Sequence, residues 1–294
     1  MMDSSAPIRV AIQGVKACFH DVAAQNYFKD FKGVNGQNLV PVESKTFRAL
    51  CENLTHHRAD YAMMAIENTI AGSILPNYAL LETFGLKIMG EVYLRIEMCL
   101  LALPGQAMND IRFVQSHPMA LLQCQEFLST LSATAPSPVT LVEASDTAES
   151  ALEVAQRKLT GYAAIASRLA AETYGLQLLK ENIETDRANY TRFLVLARPE
   201  DYALNPLANK ASIRFETRHE PGSLAQILTI FSKNGVNLTK IQSLPVIGKP
   251  YQYAFHTDIE WSLSEHYELA MQEVSRYALN IIHFGKYAAG KKGI

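Results

Sequence analysis

The sequence predicts a mixed α/β fold: a two-lobed α/β body over 7–200 and a smaller α+β unit over 210–287. Three observations carry this. Short β-rich runs alternate with stretches of helical period from residue 8 to about 198, the grammar of α/β layers with parallel strands. A segment with two prolines and no clear period then intervenes, giving a linker at 201–209. Beyond it the order of elements changes to strand, helix, strand, strand, helix, strand. A chain of 294 residues, 48% hydrophobic and 19% charged, has apolar material for about two domains.

The strands of the first region are "IRVAI" (8–12), "LVPV" (39–42), "YAMMAI" (61–66), "RFVQS" (112–116), "VTLVE" (139–143), "YAAIA" (162–166) and "RFLVL" (192–196). Each is a short apolar run, and most are followed by a helix: 21–31, 45–58, 73–85, 118–131 and 146–159. "LKIMGEVYLRIEMCLLALPG" (86–105) is too long and too β-branched for one helix and reads as two extended segments carrying the chain between lobes. The lobes are therefore expected at about 7–86 plus 175–200, and at 87–174. After the linker, "ASIRFETR", "VNLTKIQSLPV", "YQYAFHTDIEW" and "NIIHFGKY" read as strands, and 221–235 and 264–279 as helices. That is the ferredoxin-like βαββαβ order.

Composition narrows the classes of function. A formal charge of −2 without clustered Lys and Arg leaves no footprint for nucleic acid; only the tail, Lys286 with Lys291 and Lys292, is locally basic. Four cysteines lie far apart with no Cys-x-x-Cys, so neither a disulfide framework nor a zinc site is indicated, and the eight histidines show no ligand spacing. No apolar run approaches the roughly 20 residues that span a bilayer, and the N-terminus does not read as a secretion signal. A soluble cytoplasmic protein without membrane or nucleic-acid partners is expected.

In open α/β sheets the ligand crevice lies at the carboxyl ends of the strands, where helix N-termini offer free N–H groups. The corners to read are 12–20, 42–44, 65–73, 114–124 and 143–150. "AIENTIAGS" ends a strand with Glu67, Asn68 and Thr69 and then supplies Gly72 and Ser73; an ordinary cap and turn explains it equally well. "SHP" places Ser116 before a helix that Pro118 suits as first residue. Gln123, two turns beyond Ser116, is expected on the same helical face, away from the apolar stripe of Leu121, Cys124, Leu128 and Leu131. Asp146 and Glu149 have capping-box spacing around Thr147 and read as structural. In "DRANYTRFLVLARPE" the polar pair Thr191 and Arg192 is not needed to make a strand, which points to a task in the cleft. Uncharged amides and hydroxyls suit a small polyanion whose reaction needs orientation and one assisted leaving group.

These corners, "NYTRFLVL", "IENTIAGS", "SHPMALLQC" and "EPGSLAQIL", resemble prephenate dehydratase with its regulatory ACT domain, in the family's order and over residues 8 to about 287. The resemblance implies a periplasmic-binding-protein-like catalytic domain at 7–200 and an ACT domain at 210–287, with no room expected for a fused chorismate mutase segment. It implies conversion of prephenate to phenylpyruvate in phenylalanine biosynthesis, by loss of carbon dioxide and the ring hydroxyl, with no cofactor and no metal. Thr191 would hydrogen-bond the departing hydroxyl, and Asn68, Ser116 and Gln123 match family positions in binding and catalysis. Glu67, Thr69, Gly72, Ser73, Thr147, Arg192 and Phe193 would line the substrate. Arg192 reads either as a carboxylate partner or as a salt bridge inside its lobe.

The chain departs from the family at four places, the mildest being Thr69 where the family has Ser, which keeps a hydroxyl. The first corner lacks the two usual serines and has Ala17, Cys18 and His20 around Phe19; replacement contacts and a purely structural corner both remain open. Met119 stands where the family commonly has Gln. In the ACT region "GSLA" (Gly222, Ser223, Leu224, Ala225) resembles the effector motif, but "QSLP" with Gln242 and Ser243 lacks both charges of the family's Glu-Ser-Arg-Pro. L-phenylalanine as feedback effector and a homodimer or homotetramer are implied. The alternatives are an arogenate dehydratase, whose substrate has an amine in place of the keto group, and a non-catalytic sensor of small carboxylates; retention of Thr191 favours an enzyme.

Overall fold

The computed structural model describes residues 7–29, 39–246, 248–249 and 251–291. The expected helix end at Asp30 and Phe31, and Lys292 of the basic tail, lie outside them. The described residues divide into two compact units: residues 7–77 with 92–193, and residues 78–91 with 194–291.

Among the described residues three sheets organise the chain. The first contains β1 (Ile8–Gln13), β2 (Leu39–Ser44), β3 (Tyr61–Asn68), β5 (Lys87–Arg95) and β11 (Tyr190–Ala197) in the order β2-β1-β3-β11-β5, with the two-residue β4 (Gly72–Ser73) on β3. Its helices are α1 (Phe19–Phe28), α2 (Phe47–Thr55) and α3 (Leu75–Thr83). The second contains β6 (Cys99–Ala102), β7 (Phe113–Ser116), β8 (Thr140–Glu143), β9 (Tyr162–Ala166) and β10 (Gln177–Lys180) in the order β10-β6-β9-β7-β8. It carries α4 (Pro118–Gln123), α5 (Gln125–Thr134), α6 (Thr147–Gln156) and α7 (Arg168–Tyr174). Val114, Leu121, Cys124, Leu128, Leu131 and Ile165 form its core, which includes the stripe expected from helical spacing.

Four differences from the sequence reading have local causes. The second sheet is mixed: β7 pairs β8 and β9 in parallel, whereas β6 pairs both β9 and β10 antiparallel. β6 arrives straight from β5, and a strand without a helical crossover can add antiparallel. The chain crosses between the two sheets at 96–98 and again at 181–189, rather than near 87 and 175. The four-residue β10 and seven-residue α7 were not expected, because each is too short to show a period. Finally, the helix expected over 118–131 breaks at Cys124 (φ −106°, ψ 17°), where the Gln123 carbonyl accepts from Thr185 N–H at 2.8 Å.

The third sheet is the C-terminal one. β12 (Lys210–Glu216), α8 (Ser223–Lys233), β13 (Val236–Pro245), β14 (Tyr253–Trp261), α9 (Ser264–Val274) and β15 (Leu279–Tyr287) follow the expected βαββαβ order. The antiparallel strand order is β13-β14-β12-β15. Ile213, Phe215, Ile227, Phe231, Ile259, Trp261 and Tyr267 form the core shared with α8 and α9. Among the described residues no helix is long and apolar enough to cross a membrane.

Candidate active site

The end of β3 and the start of β11 are neighbours in the first sheet, which brings Asn68 beside Thr191 although 123 residues separate them. Asn68 is held from both ends of its amide. Its Oδ1 accepts from Ile70 N–H (2.9 Å) and Ala71 N–H (2.8 Å), closing the turn after β3. Its Nδ2 donates to Thr191 Oγ1 (2.9 Å) and Asn189 Oδ1 (2.7 Å). Asn189 in turn donates to Gln123 Oε1 (3.0 Å), so an amide chain runs from α4 to β11. Because Thr191 Oγ1 accepts from Asn68, its own proton is left for another acceptor; among the described residues it has none.

Thr191, Asn68 and Gln123 line a cavity of about 320 Å³. Phe193, Phe19, Phe47, Ile74, Ile96 and Met119 supply apolar walls, and His20, His117, Asp146 and Thr147 supply polar ones. The apolar walls suit an unsaturated ring; the amide and hydroxyl groups suit its substituents. Among the described residues no Lys or Arg lines the cavity. Residues of both sheets contribute to it, and Ser167 Oγ joins them by donating to Ala17 O at 2.8 Å. Among the described residues no group of three or more His, Cys, Asp or Glu is arranged to hold a metal ion.

The first corner lines this cavity through buried, neutral groups. Ala17 takes φ 67°, and its N–H donates to Asp21 Oδ2 at 2.7 Å. Cys18 caps α1 by backbone alone, and its thiol donates to Gln13 O at 3.3 Å. Burial, reinforced by Asp146, pushes that thiol well above its usual range, so it is no thiolate nucleophile. His20 Nε2 accepts from Ala65 N–H at 3.4 Å and its ring meets Phe193 edge-on at 5.0 Å.

Desolvation lowers the His20 pKa from 6.5 to about 3. The unfolded chain therefore takes up a proton below about pH 6.5 that the folded chain refuses down to about pH 3. The stability His20 contributes is complete above pH 6.5 and falls as pH drops through that window, by up to about 1.4 kcal/mol per pH unit. His256, lowered by burial to about 4, acts in the same direction. The Asp146 carboxyl, raised by burial, acts in the opposite one. Replacing His20 with Gln is expected to narrow the gap in urea stability between pH 7 and pH 5 by about 1–2 kcal/mol; an unchanged gap would contradict the assignment.

Other residues singled out in the sequence sit elsewhere. Ser116 is 0% exposed and donates to Ile165 O at 2.7 Å, tying β7 to β9; it does not line the cavity. It shares no helical face with Gln123, because α4 starts at Pro118 with His117 as its cap, His117 Nδ1 accepting from Met119 N–H at 3.2 Å. Arg192 is 3% exposed and pairs with Glu67 at 3.2 Å, so of its two readings the salt bridge inside the lobe is the one seen. Thr69 Oγ1 bonds the 188–190 backbone, accepting from Tyr190 N–H and donating to Ala188 O. Glu67, Thr69, Gly72 and Ser73 are not among the lining residues, whereas Thr147 and Phe193 are. Asp146 caps α6 as expected, accepting from Ala148 and Glu149 N–H, while Glu149 bonds Ser145 Oγ. Asn189, 0% exposed and central to the amide chain, has no role assigned by the sequence reading; its place one residue before the strand and two before Thr191 is the available signal.

The prephenate dehydratase family model matches residues 10–201, about two thirds of the chain. The chain belongs to the prephenate dehydratase family. This is a family of carbon–oxygen lyases. Arogenate dehydratase/prephenate dehydratase 2, chloroplastic, of Arabidopsis thaliana is 33% identical over 97% of this chain and 74% of its own length. The prephenate dehydratase of Arthrobacter aurescens in complex with L-Phe superposes with a TM-score of 0.81, at 26% identity over 96% of this chain and 90% of that one. A structure described as GqqA, a novel type of quorum quenching acylase, also has a TM-score of 0.81, at 30% identity over 96% and 98% of the two chains. The dehydratase family match covers the first two sheets apart from the first two residues of β1, and includes every described residue that lines the cavity.

Proposed function

We propose that this cavity carries out the decarboxylative dehydration of prephenate or its amino counterpart, arogenate. The ring carboxylate leaves as carbon dioxide, its bonding electrons enter the ring, and the ring C–O bond breaks; the departing hydroxide takes a proton from solvent and leaves as water. The product is phenylpyruvate from prephenate and phenylalanine from arogenate. The observation that carries the reading is the Asn68–Thr191 bond, which spends the acceptor side of the threonine and leaves its O–H to meet the departing oxygen. A threonine hydroxyl is too weak an acid to do more than polarise that oxygen, so orientation by Gln123, Asn189 and Asn68 supplies the remainder. Aromatisation provides the driving force. Ser116 ties β7 to β9 and Arg192 pairs with Glu67, so these three take structural roles in this reading. Incubation with each substrate, with ultraviolet detection of phenylpyruvate and chromatography for phenylalanine, tests the reading; turnover of neither overturns it.

An acylase activity, by analogy with the GqqA structure, lacks support in this cavity. Acyl transfer needs an activated nucleophile, and Cys18 is held as a thiol beside a neutral His20 whose Nε2 is already engaged.

The C-terminal unit fits an ACT domain that binds L-phenylalanine. The loop Thr217–Ser223, with Leu224, Ala225, Tyr251 and Tyr253, lines a cavity of about 630 Å³, and Gly222 takes φ 84° at the start of α8. Gln242 and Ser243 lie on β13, opposite His256 and Phe255, and are not among its lining residues. The described complex of the Arthrobacter relative with L-Phe supports the ligand class. A homodimer or homotetramer through this domain, in the cytoplasm, completes the proposal. Calorimetry is expected to show phenylalanine binding, with inhibition that corresponds to about 1–3 kcal/mol of coupling; no heat and unchanged turnover would remove the effector.

A further inference from the structure

The cavity has an acidic group that the reaction above does not use. Asp146 lines it at the N-terminus of α6. Only one of its oxygens is engaged: Oδ1 accepts from Ala148 N–H at 2.8 Å and Glu149 N–H at 3.0 Å. Among the described residues Oδ2 has no partner. That oxygen lies against Gly14, where a Cβ would come within 2.7 Å of it, so the missing side chain at Gly14 makes room for this carboxylate. The remaining polar lining is uncharged amide, hydroxyl and thiol, apart from His117 and a neutral His20.

Prephenate is a dianion, and a cavity whose described lining has one carboxylate and no Lys or Arg is poorly matched to it. Arogenate has the same ring and carboxylates with an ammonium in place of the keto group, which brings its net charge to that of a monoanion. The departing oxygen and the carbon bearing the amino-acid or keto-acid arm are para across the ring. With the oxygen on Thr191 of the first sheet's lobe, the arm reaches away from β11. Asp146, on the second sheet's lobe, is the acidic group available there. We propose that Asp146 is the specificity-determining residue of this site: its free carboxylate oxygen takes the ammonium of arogenate, and the cavity discriminates against the keto acid. The inference rests on the dehydratase reading and deepens it. Burial raises the Asp146 pKa when the cavity is empty, and an ammonium in contact reverses that tendency by stabilising the charged form.

The test is kcat/KM for both substrates in wild type, Asp146→Asn and Asp146→Ser. Asn keeps an oxygen to cap α6, and Ser is itself a good cap, so both variants retain the helix start. Wild type is expected to prefer arogenate. In each variant the arogenate-to-prephenate ratio is expected to fall by about ten- to a hundredfold, the range of a charge-assisted hydrogen bond, because arogenate loses its partner and prephenate escapes a repulsion. Circular dichroism and urea midpoints confirm folding. A wild type that prefers prephenate, or a ratio unchanged in both folded variants, overturns the inference while leaving the dehydratase reading in place. A wild type that turns over neither substrate removes the dehydratase reading and this inference with it.

Discussion

Thr191→Ala is expected to lower kcat at least about tenfold, and up to about a hundredfold, with little change in KM. Thr191 is 9% exposed near the start of β11 and its hydroxyl is aimed by Asn68, so its loss removes a donor whose value rises as the ring oxygen gathers charge. An interaction stronger in the transition state than in the bound substrate appears in kcat. Thr191→Ser keeps the hydroxyl but lacks the methyl that restricts χ1, and should recover most of the rate. The substitution also removes an acceptor from Asn68, which retains Asn189 Oδ1 and the Tyr190 carbonyl, so folding is expected to survive. Single-turnover rates of the three proteins on the preferred substrate check this. Full rate in Thr191→Ala with loss in Asn68→Ala would transfer the leaving-group role to the amide.

Glu91→Ala is expected to cost about 3–5 kcal/mol of stability, the largest effect of any single change considered. Glu91 and Lys210 pair at 2.9 Å with side-chain exposures of 0% and 1%; Glu91 Oε1 also accepts from Gly290 N–H, and Lys210 reaches Glu260 at 3.1 Å. Removing the carboxylate takes a buried counter-charge from a desolvated ammonium and leaves an N–H that has lost its acceptor. Most of the cost is the penalty on the survivors rather than the net worth of the pair. Glu91→Leu combined with Lys210→Met should therefore recover much of the loss. Denaturant titration of the single and double variants measures both. A single-variant change below about 1 kcal/mol would mean that water reaches the pair.

Much of the element order was legible because burial of one face imposes a period that short stretches reveal. The run Phe193–Ala197 is apolar throughout and is a central strand buried on both faces; the βαββαβ order after the linker was visible for the same reason. Gly235, at φ 69°, closes α8 as its place after Asn234 suggested. β10 and α7 were invisible because a few residues show no period. The break at Cys124 depends on Thr185, which no local pattern reveals.

The sequence by itself determined which residue types the site could use and which strand would present Thr191. Tertiary structure alone decided that Asn189 links Gln123 to Asn68, that Ser116 turns inward, that Arg192 is occupied by Glu67, and that one oxygen of Asp146 stays free. The physical reason is range. A cap or a period is a property of adjacent residues, whereas a hydrogen bond across 66 or 121 positions exists only after loops close and packing selects one partner among many of equal local merit.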